Sequence, residues 1–289
     1  MVTARQMSDA PAQDPYRPVP RGTNPHAFRI FVHTLVTPTI AGSVDFLRRA
    51  FDMTVLEEGL VSSPEVDGTV LDGRRYVLLA PGDRIDPYRG YVRLLEAPRD
   101  AAENRPRPGA SITHGGLAVM ECVTRDRAES VARMRSVGAR MITEPKHYWF
   151  ENVQALEHVD PGVIPTSFDM HSYSVFGPAG EQYFITWSTT LFPGPWRYRT
   201  LHSPCYNSVL IGPTRRVIWG FYDRIMGVKP MTDVHVAQES CNELIGAPPG
   251  TVFKYSVFGE EGRFETWEYV PSVEAIHPTS LGRTGFAME

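Results

Sequence analysis

The sequence predicts an α+β protein built from a βαβββ module used three times. Three observations carry this. YSVFG stands at Tyr173–Gly177 and again at Tyr255–Gly259, and each copy is followed by a Thr-Trp pair, Thr186-Trp187 and Thr266-Trp267. Upstream of each copy lies a short apolar run and then an amphipathic stretch ending on glycine, at Gly138 and Gly227. A third such stretch, SVDFLRRAFDM, ends at Asp52, where the glycine would fall. The spacing of roughly 85 residues is too long for a solenoid helix pair and suits a helix-plus-sheet unit that buries its face on a neighbour.

The first module opens with FRIFVHTLV (28–36), a β-rich run that stops at Pro38. Val44, Leu47 and Phe51 then recur at helical spacing, with Asp45, Arg48, Arg49 and Asp52 opposite them. TVLEEGLVS (54–62), VLDGRRYVLLAP (70–81) and GYVRLLEAP (90–98) read as three strands, the second with an Asp-Gly turn signal and the last stopped by proline. Module two repeats the order: HGGLAVMECV (114–123), a helix around 126–137 with Val131 and Met134 inward, ARMITEP (139–145), FDMHSYSVFGP (168–178) and EQYFITWST (181–189). A long insertion, 146–167, separates its second and third strands. Module three reads CYNSVLIG (205–212), a helix with Ile218, Phe221, Tyr222 and Ile225 on one face, VKPMTDVHV (228–236), TVFKYSVFG (251–259) and RFETWEYVP (263–271).

Composition narrows the class. The chain has 289 residues, is 42% hydrophobic and 21% charged, and carries a net charge of −4. That describes a globular protein without the basic footprint of a nucleic-acid binder. No run of 18 apolar residues offers a membrane span. Residues 1–27, with Pro11, Pro15, Pro18 and Pro20 among polar residues, read as a disordered or draped arm without the apolar stretch of a signal peptide. Cys122, Cys205 and Cys241 are odd in number and far apart. They argue against a disulfide framework and fit a reducing cytoplasm.

SVDFLRRAFDM and VIWGFYDRIMGVKP resemble the helix-to-second-strand signature of the vicinal oxygen chelate superfamily, which includes glyoxalase I, extradiol dioxygenases and the fosfomycin and bleomycin resistance proteins. GYVRLLEAP and FGPAGEQYFITW resemble its fourth strands, the second with a worn turn. The likeness covers 28–271 and implies modules paired so that curved mixed sheets enclose a cavity. Modules one (28–98) and two (113–190) are expected to pair, leaving module three (200–271) open. That predicts either a homodimer through the third module or a remnant within the tail, 272–289, that covers it.

The resemblance also implies a divalent metal, Fe, Mn or Zn, with one ligand from the first and one from the fourth strand of each module. Such an ion leaves positions for two substrate oxygens. Glu96 and Glu268 fall at fourth-strand positions. Counting back from the helices gives Phe31 in module one, with His33 two residues on along the same face, and Asn207 in module three. In module two the count lands on Ala118 and, on the fourth strand, Phe184, both apolar. Glu121 faces the cavity only if the register slips by one, since a one-residue slip exchanges faces. His114 opens the first strand of module two and offers a ligand at the cavity mouth. The plain alternatives are a locally paired carboxylate for Glu96 and a hydrogen-bonded core histidine for His33.

The insertion carries His147, Tyr148, Trp149 and Phe150 in a row. A connection this long reads as a lid over a flat, apolar ligand, the alternative being that the aromatics anchor it on its own sheet. His171 and Tyr173 alternate and share a face, although the match of Tyr173 to Tyr255 suggests a common packing role. The functional expectation is a vicinal-oxygen-chelate enzyme performing ring cleavage, lyase or isomerase chemistry on a small oxygen-bearing, aromatic or hydrophobic compound. His33, Glu96 and His171 are its candidate catalytic groups. The alternative is a metal-free protein that sequesters a hydrophobic small molecule, and between the two lies metal-free acid–base catalysis by His33 or His171 with Glu96.

Overall fold

The computed structural model describes residues 30–62, 73–82, 90–97, 116–159, 164–188, 196–205, 207–212, 222, 228–245, 247–258, 264–270 and 284–288. The first strand group is β1 (Ile30–Thr37), α1 (Ile40–Phe51), β2 (Thr54–Leu60), β3 (Arg75–Ala80) and β4 (Tyr91–Glu96). Thr39 caps α1 by accepting the Gly42 N–H, and Ile40, Ser43, Phe46, Leu47, Ala50 and Phe51 form its buried stripe. Asp52 ends the helix at φ 54°, so it takes the left-handed position where the sequence pattern anticipates glycine. Val44, also expected inside, is partly buried against that core.

The second group is β5 (Gly116–Val123), α2 (Arg127–Ser136), β6 (Arg140–Met141), β7 (Lys146–Phe150), β8 (Phe168–Phe176) and β9 (Gln182–Ser188). Asp126 caps α2 by accepting the Glu129 N–H at 2.9 Å. Glu129 near the start and Arg133 and Arg135 in the last turn complement the helix dipole. Val131 and Met134 are buried, as the spacing predicts. The third group is β10 (Asn207–Gly212), β11 (Val234–Val236), a short helix α3 (Glu239–Ile245), β12 (Val252–Phe258) and β13 (Phe264–Val270). Of the helix expected around Ile218, Phe221 and Ile225, Tyr222 alone is described, and it is helical.

All three groups share one strand order. β1 pairs with β4, β5 with β9 and β10 with β13, each in parallel, and the remaining strands follow antiparallel. The pairing between groups corrects the sequence expectation. β5 pairs antiparallel with β10, joining groups two and three into one nine-stranded sheet. Among the described residues, groups one and two do not join edge to edge. Instead the edge of β1 takes β14 (Thr284–Met288), antiparallel, so the tail supplies a strand to the first group rather than a cover for the third. Contiguity in sequence suggested the other pairing, but first strands meet through a long-range contact that local pattern does not encode. The third group's first strand is thus paired within the chain.

Two cores result. On the helix side of both sheets, Leu35, Leu47, Phe51, Val77, Leu79, Val92 and Leu94 of group one join Met120, Cys122, Met134, Tyr173, Val175, Tyr183 and Ile185 of group two. Phe51 and Tyr183 meet at 5.0 Å between ring centroids. The helix ends are tied across this layer by Arg133 to Asp52 at 2.6 Å and Arg49 to the Ser136 carbonyl at 3.2 Å. The second core fills the opposite, inner face of the nine-stranded sheet: Val119, Tyr148, Phe150, Val153, Met170, Phe184, Val209, Val236, Cys241 and Leu244. Among the described residues no helix is long and apolar enough to cross a membrane.

Candidate functional site

At the junction of β5 and β10, Glu121 and Asn207 are direct cross-strand partners on the inner face. Glu121 is 5% exposed. Asn207 Nδ2 donates to its Oε2 at 2.7 Å and Thr186 Oγ1 to its Oε1 at 2.9 Å. Thr186 in turn meets Ser172 at 2.9 Å, and Ser172 meets the Tyr148 hydroxyl at 3.0 Å. A threonine hydroxyl has one proton. Because Thr186 gives its proton to Glu121, Ser172 must donate to Thr186 and Tyr148 to Ser172. Every dipole in the chain therefore points toward the carboxylate. Val119, Phe184, Met170 and Val209 pack with it on the same face.

The insertion closes this inner face, between groups two and three rather than one and two. Its first residues are not a loop but β7, paired along β8. Alternation then splits the four expected lid residues. Tyr148 and Phe150 are buried in the inner core, while His147 and Trp149 are exposed on the other face. Beyond β7, Leu156 N–H bonds to the Met231 carbonyl at 3.0 Å and His158 Nε2 to the Pro230 carbonyl at 2.7 Å. These bonds strap the insertion to group three.

The other sequence candidates are dispersed. Glu96 ends β4 level with Thr37 and is exposed, four positions along the ladder from His33. His33 is fully buried on the helix side, where its Nε2 meets Ser208 Oγ at 2.5 Å. Burial lowers its pKa to about 4, so it is a neutral core imidazole. Tyr173 is buried on the helix side against Ser130 of α2, whose hydroxyl also meets His202 Nε2 at 2.6 Å. Its counterpart in the YSVFG echo, Tyr255, stacks on Phe150 of the inner core at 5.7 Å. The echo thus occupies equivalent strands, β8 and β12, but one residue out of phase, and the shared packing role anticipated for the two tyrosines is not present. His114 and the side chains of Phe31 and Glu268 lie outside the described residues.

His147 and His171 come together, although not at the inner face. They are cross-strand partners whose rings stack at 4.5 Å, and Asp169 Oδ1 contacts His147 Nε2. Arg127 Nη1 donates to His171 Nδ1 at 2.8 Å. Sequence reading missed Asp169, Arg127, Thr186 and Ser172. Asp169 was legible in principle, since Asp169 and His171 are two apart on one strand.

The metal arrangement implied by the resemblance does not fit the described inner-face donors. Asn207 turns its amide N–H toward the Glu121 carboxylate and its carbonyl toward the Ser208 N–H at 2.9 Å, so it presents no donor atom beside the carboxylate. The fourth-strand partner of Glu121 is Phe184, which has no donor atom.

No family model and no curated protein matches the chain. Solved structures do. Glyoxalase I from Zea mays is 12% identical, with 85% of this chain and 69% of that chain covered at a TM-score of 0.51. A mutant of the same protein gives 11% identity, 86% and 71% coverage, and a TM-score of 0.52. The chain has the vicinal oxygen chelate fold.

Proposed function

We propose that the chain is an enzyme that performs proton-transfer chemistry, of the isomerase or lyase kind, on a small oxygen-bearing apolar compound, with Glu121 moving the proton. The observation that carries this reading is the setting of Glu121: a carboxylate buried at the junction of two strand groups, at the end of an aligned donor chain. Buried at this junction, the carboxylate has the fixed donors of Asn207 and Thr186 in place of a hydration shell, so water need not reorganise around it when it takes a proton. It would take a proton from a hydroxyl-bearing carbon beside a substrate carbonyl and return it to the former carbonyl carbon, while the hydroxyl proton passes to the former carbonyl oxygen, regenerating the ionised carboxylate. Asn207 and Thr186 hold its two oxygens in place during both transfers. Tyr148 and Ser172 polarise the Thr186 hydroxyl and so keep the donor chain oriented.

The test uses small carbonyl and phenolic compounds in D2O, with carbon–hydrogen exchange and product formation followed by NMR. Glu121→Gln should lower the rate roughly 10²- to 10⁴-fold while ligand-induced thermal shifts persist. Equal turnover in the variant would sink the assignment. A second reading, capture of an apolar molecule without conversion, is favoured by the aromatic inner face, where Phe150 stacks on Tyr255. Compounds that raise the melting temperature equally in both proteins and are never converted would establish that reading instead.

A further inference from the structure

We propose that the outer face of the β7–β8 hairpin is a divalent transition-metal site formed by His147, Asp169 and His171. It lies on the opposite side of the sheet from Glu121 and does not rest on the acid–base reading. The antiparallel register sets His147 across from His171, with Asp169 two residues away on the same face. One ligating atom from each of the three lies within 4.8 Å of the others. An ion with bonds of about 2.0–2.2 Å draws such atoms together with small rotamer changes. Two imidazoles and one carboxylate form a borderline donor set that suits Zn²⁺, Co²⁺, Ni²⁺, Cu²⁺ or Fe²⁺, and three protein ligands leave positions open to water.

The present occupants identify what an ion would replace. A guanidinium always donates, so the bond from Arg127 shows that His171 Nδ1 holds a lone pair and that the ring is neutral. The neutral ring is the form that binds metal. Between His147 Nε2 and Asp169 Oδ1 a proton stands where an ion would bridge them. Both substitutes are free to leave. Arg127 is exposed, and the side chains of His147 and Asp169 are 48% and 50% exposed. Support for the ligands is already in place: Ser188 Oγ donates to the Asp169 carbonyl at 2.8 Å, Trp149 lies against His147, and Trp187 meets His171 edge-on. Ion uptake therefore displaces Arg127 from His171 Nδ1 and moves the His147 ring proton from Nε2 to Nδ1.

The full chain titrated with Zn²⁺ alone, by calorimetry with equilibrium dialysis, tests this. One ion per chain should bind at this site, and Co²⁺ should give a visible absorption band of nitrogen–oxygen ligation. His171→Ala, His147→Gln and Asp169→Asn should each weaken Zn²⁺ binding by at least about tenfold and abolish the Co²⁺ band. Arg127→Gln should tighten it by roughly three- to tenfold, because a competing cation is removed. All four side chains lie at the surface, so melting curves without metal confirm that each variant is folded. Binding unchanged in the His171, His147 and Asp169 variants, or no ion bound by the wild type, overturns the site. Unchanged affinity in Arg127→Gln overturns the displacement step.

Discussion

The β7–β8 hairpin has two faces made from the same ten or so residues, and they do different work. Inward, Tyr148, Phe150 and Met170 are 7%, 9% and 6% exposed and seal the inner core. Outward, Trp149 is 46% exposed beside His147, Asp169 and His171. The chemistry-bearing types alternate with the packing types along both strands, so the same backbone ladder presents a core on one side and a polar cluster on the other. Adjacent aromatics in sequence are thus no guide to a shared role. What decides is parity along the strand.

The largest expected effect breaks or confirms that division directly. Phe150→Ala should cost about 3–5 kcal/mol, the range for emptying a buried aromatic site. Trp149→Ala, one residue earlier, should stay within roughly 1 kcal/mol, as for surface substitutions. Chemical denaturation of the two variants measures both. Equal losses would mean that the outer face is also structural.

Parity also explains what was legible in the sequence. The βαβββ order, α1, α2 and the cap at Asp52 follow from apolar periodicity and turn chemistry, which are local. Glu121 was not assignable from pattern alone: Val119, Met120, Cys122 and Val123 around it are all buried, because that strand is covered on both faces and shows no period-two signal. His33 and Tyr173 were misplaced for the related reason that a strand's phase relative to the cavity depends on its partners. The pairing of β5 with β10 and the addition of β14 to β1 are contacts between distant segments. Asp169 joined no candidate cluster because 146–150 read as a lid, and only β7 pairing brings His147 to it.

A second, intermediate effect extends the comparison to ionisable groups held in the interior. Burial raises Glu181 to about 7 and lowers His33 to about 4 and His202 to about 3. The glutamate's contribution is complete below its unfolded pKa and is lost as pH rises through 7. Those of the histidines are complete above about 6.5 and are lost as pH falls toward 4 and 3. Between pH 6.5 and 4.5, two histidines favour proton uptake on unfolding and one glutamate favours release. The net is roughly one proton, or about 1.4 kcal/mol of stability lost per pH unit. Glu181→Gln removes the opposing contribution and should steepen the loss. A flat stability profile over this window would show that the histidines are not held neutral by the fold.

The smallest effect sharpens the inner face itself. Tyr148→Phe deletes only the hydroxyl that donates to Ser172, leaving the ring in the core, and should cost about 0.5–1.5 kcal/mol. His147→Ala, across the sheet, removes a half-exposed hydrogen bond to Asp169 and should cost at most about 1 kcal/mol. The two losses overlap in size, so magnitude alone does not separate the faces. Coupling does. The Tyr148 proton goes to Ser172, whose own proton must go to Thr186 and from there to Glu121, so charge at Glu121 polarises each hydroxyl in turn. A double-mutant cycle of Tyr148→Phe with Glu121→Gln should therefore show a coupling of about 0.5 kcal/mol or more, although two residues stand between them. The cycle of His147→Ala with Glu121→Gln should show none, because His147 stands on the opposite face of the sheet. Zero coupling in the first cycle would mean that the hydroxyls are independently satisfied, and the aligned chain would then have no part in setting the reactivity of Glu121.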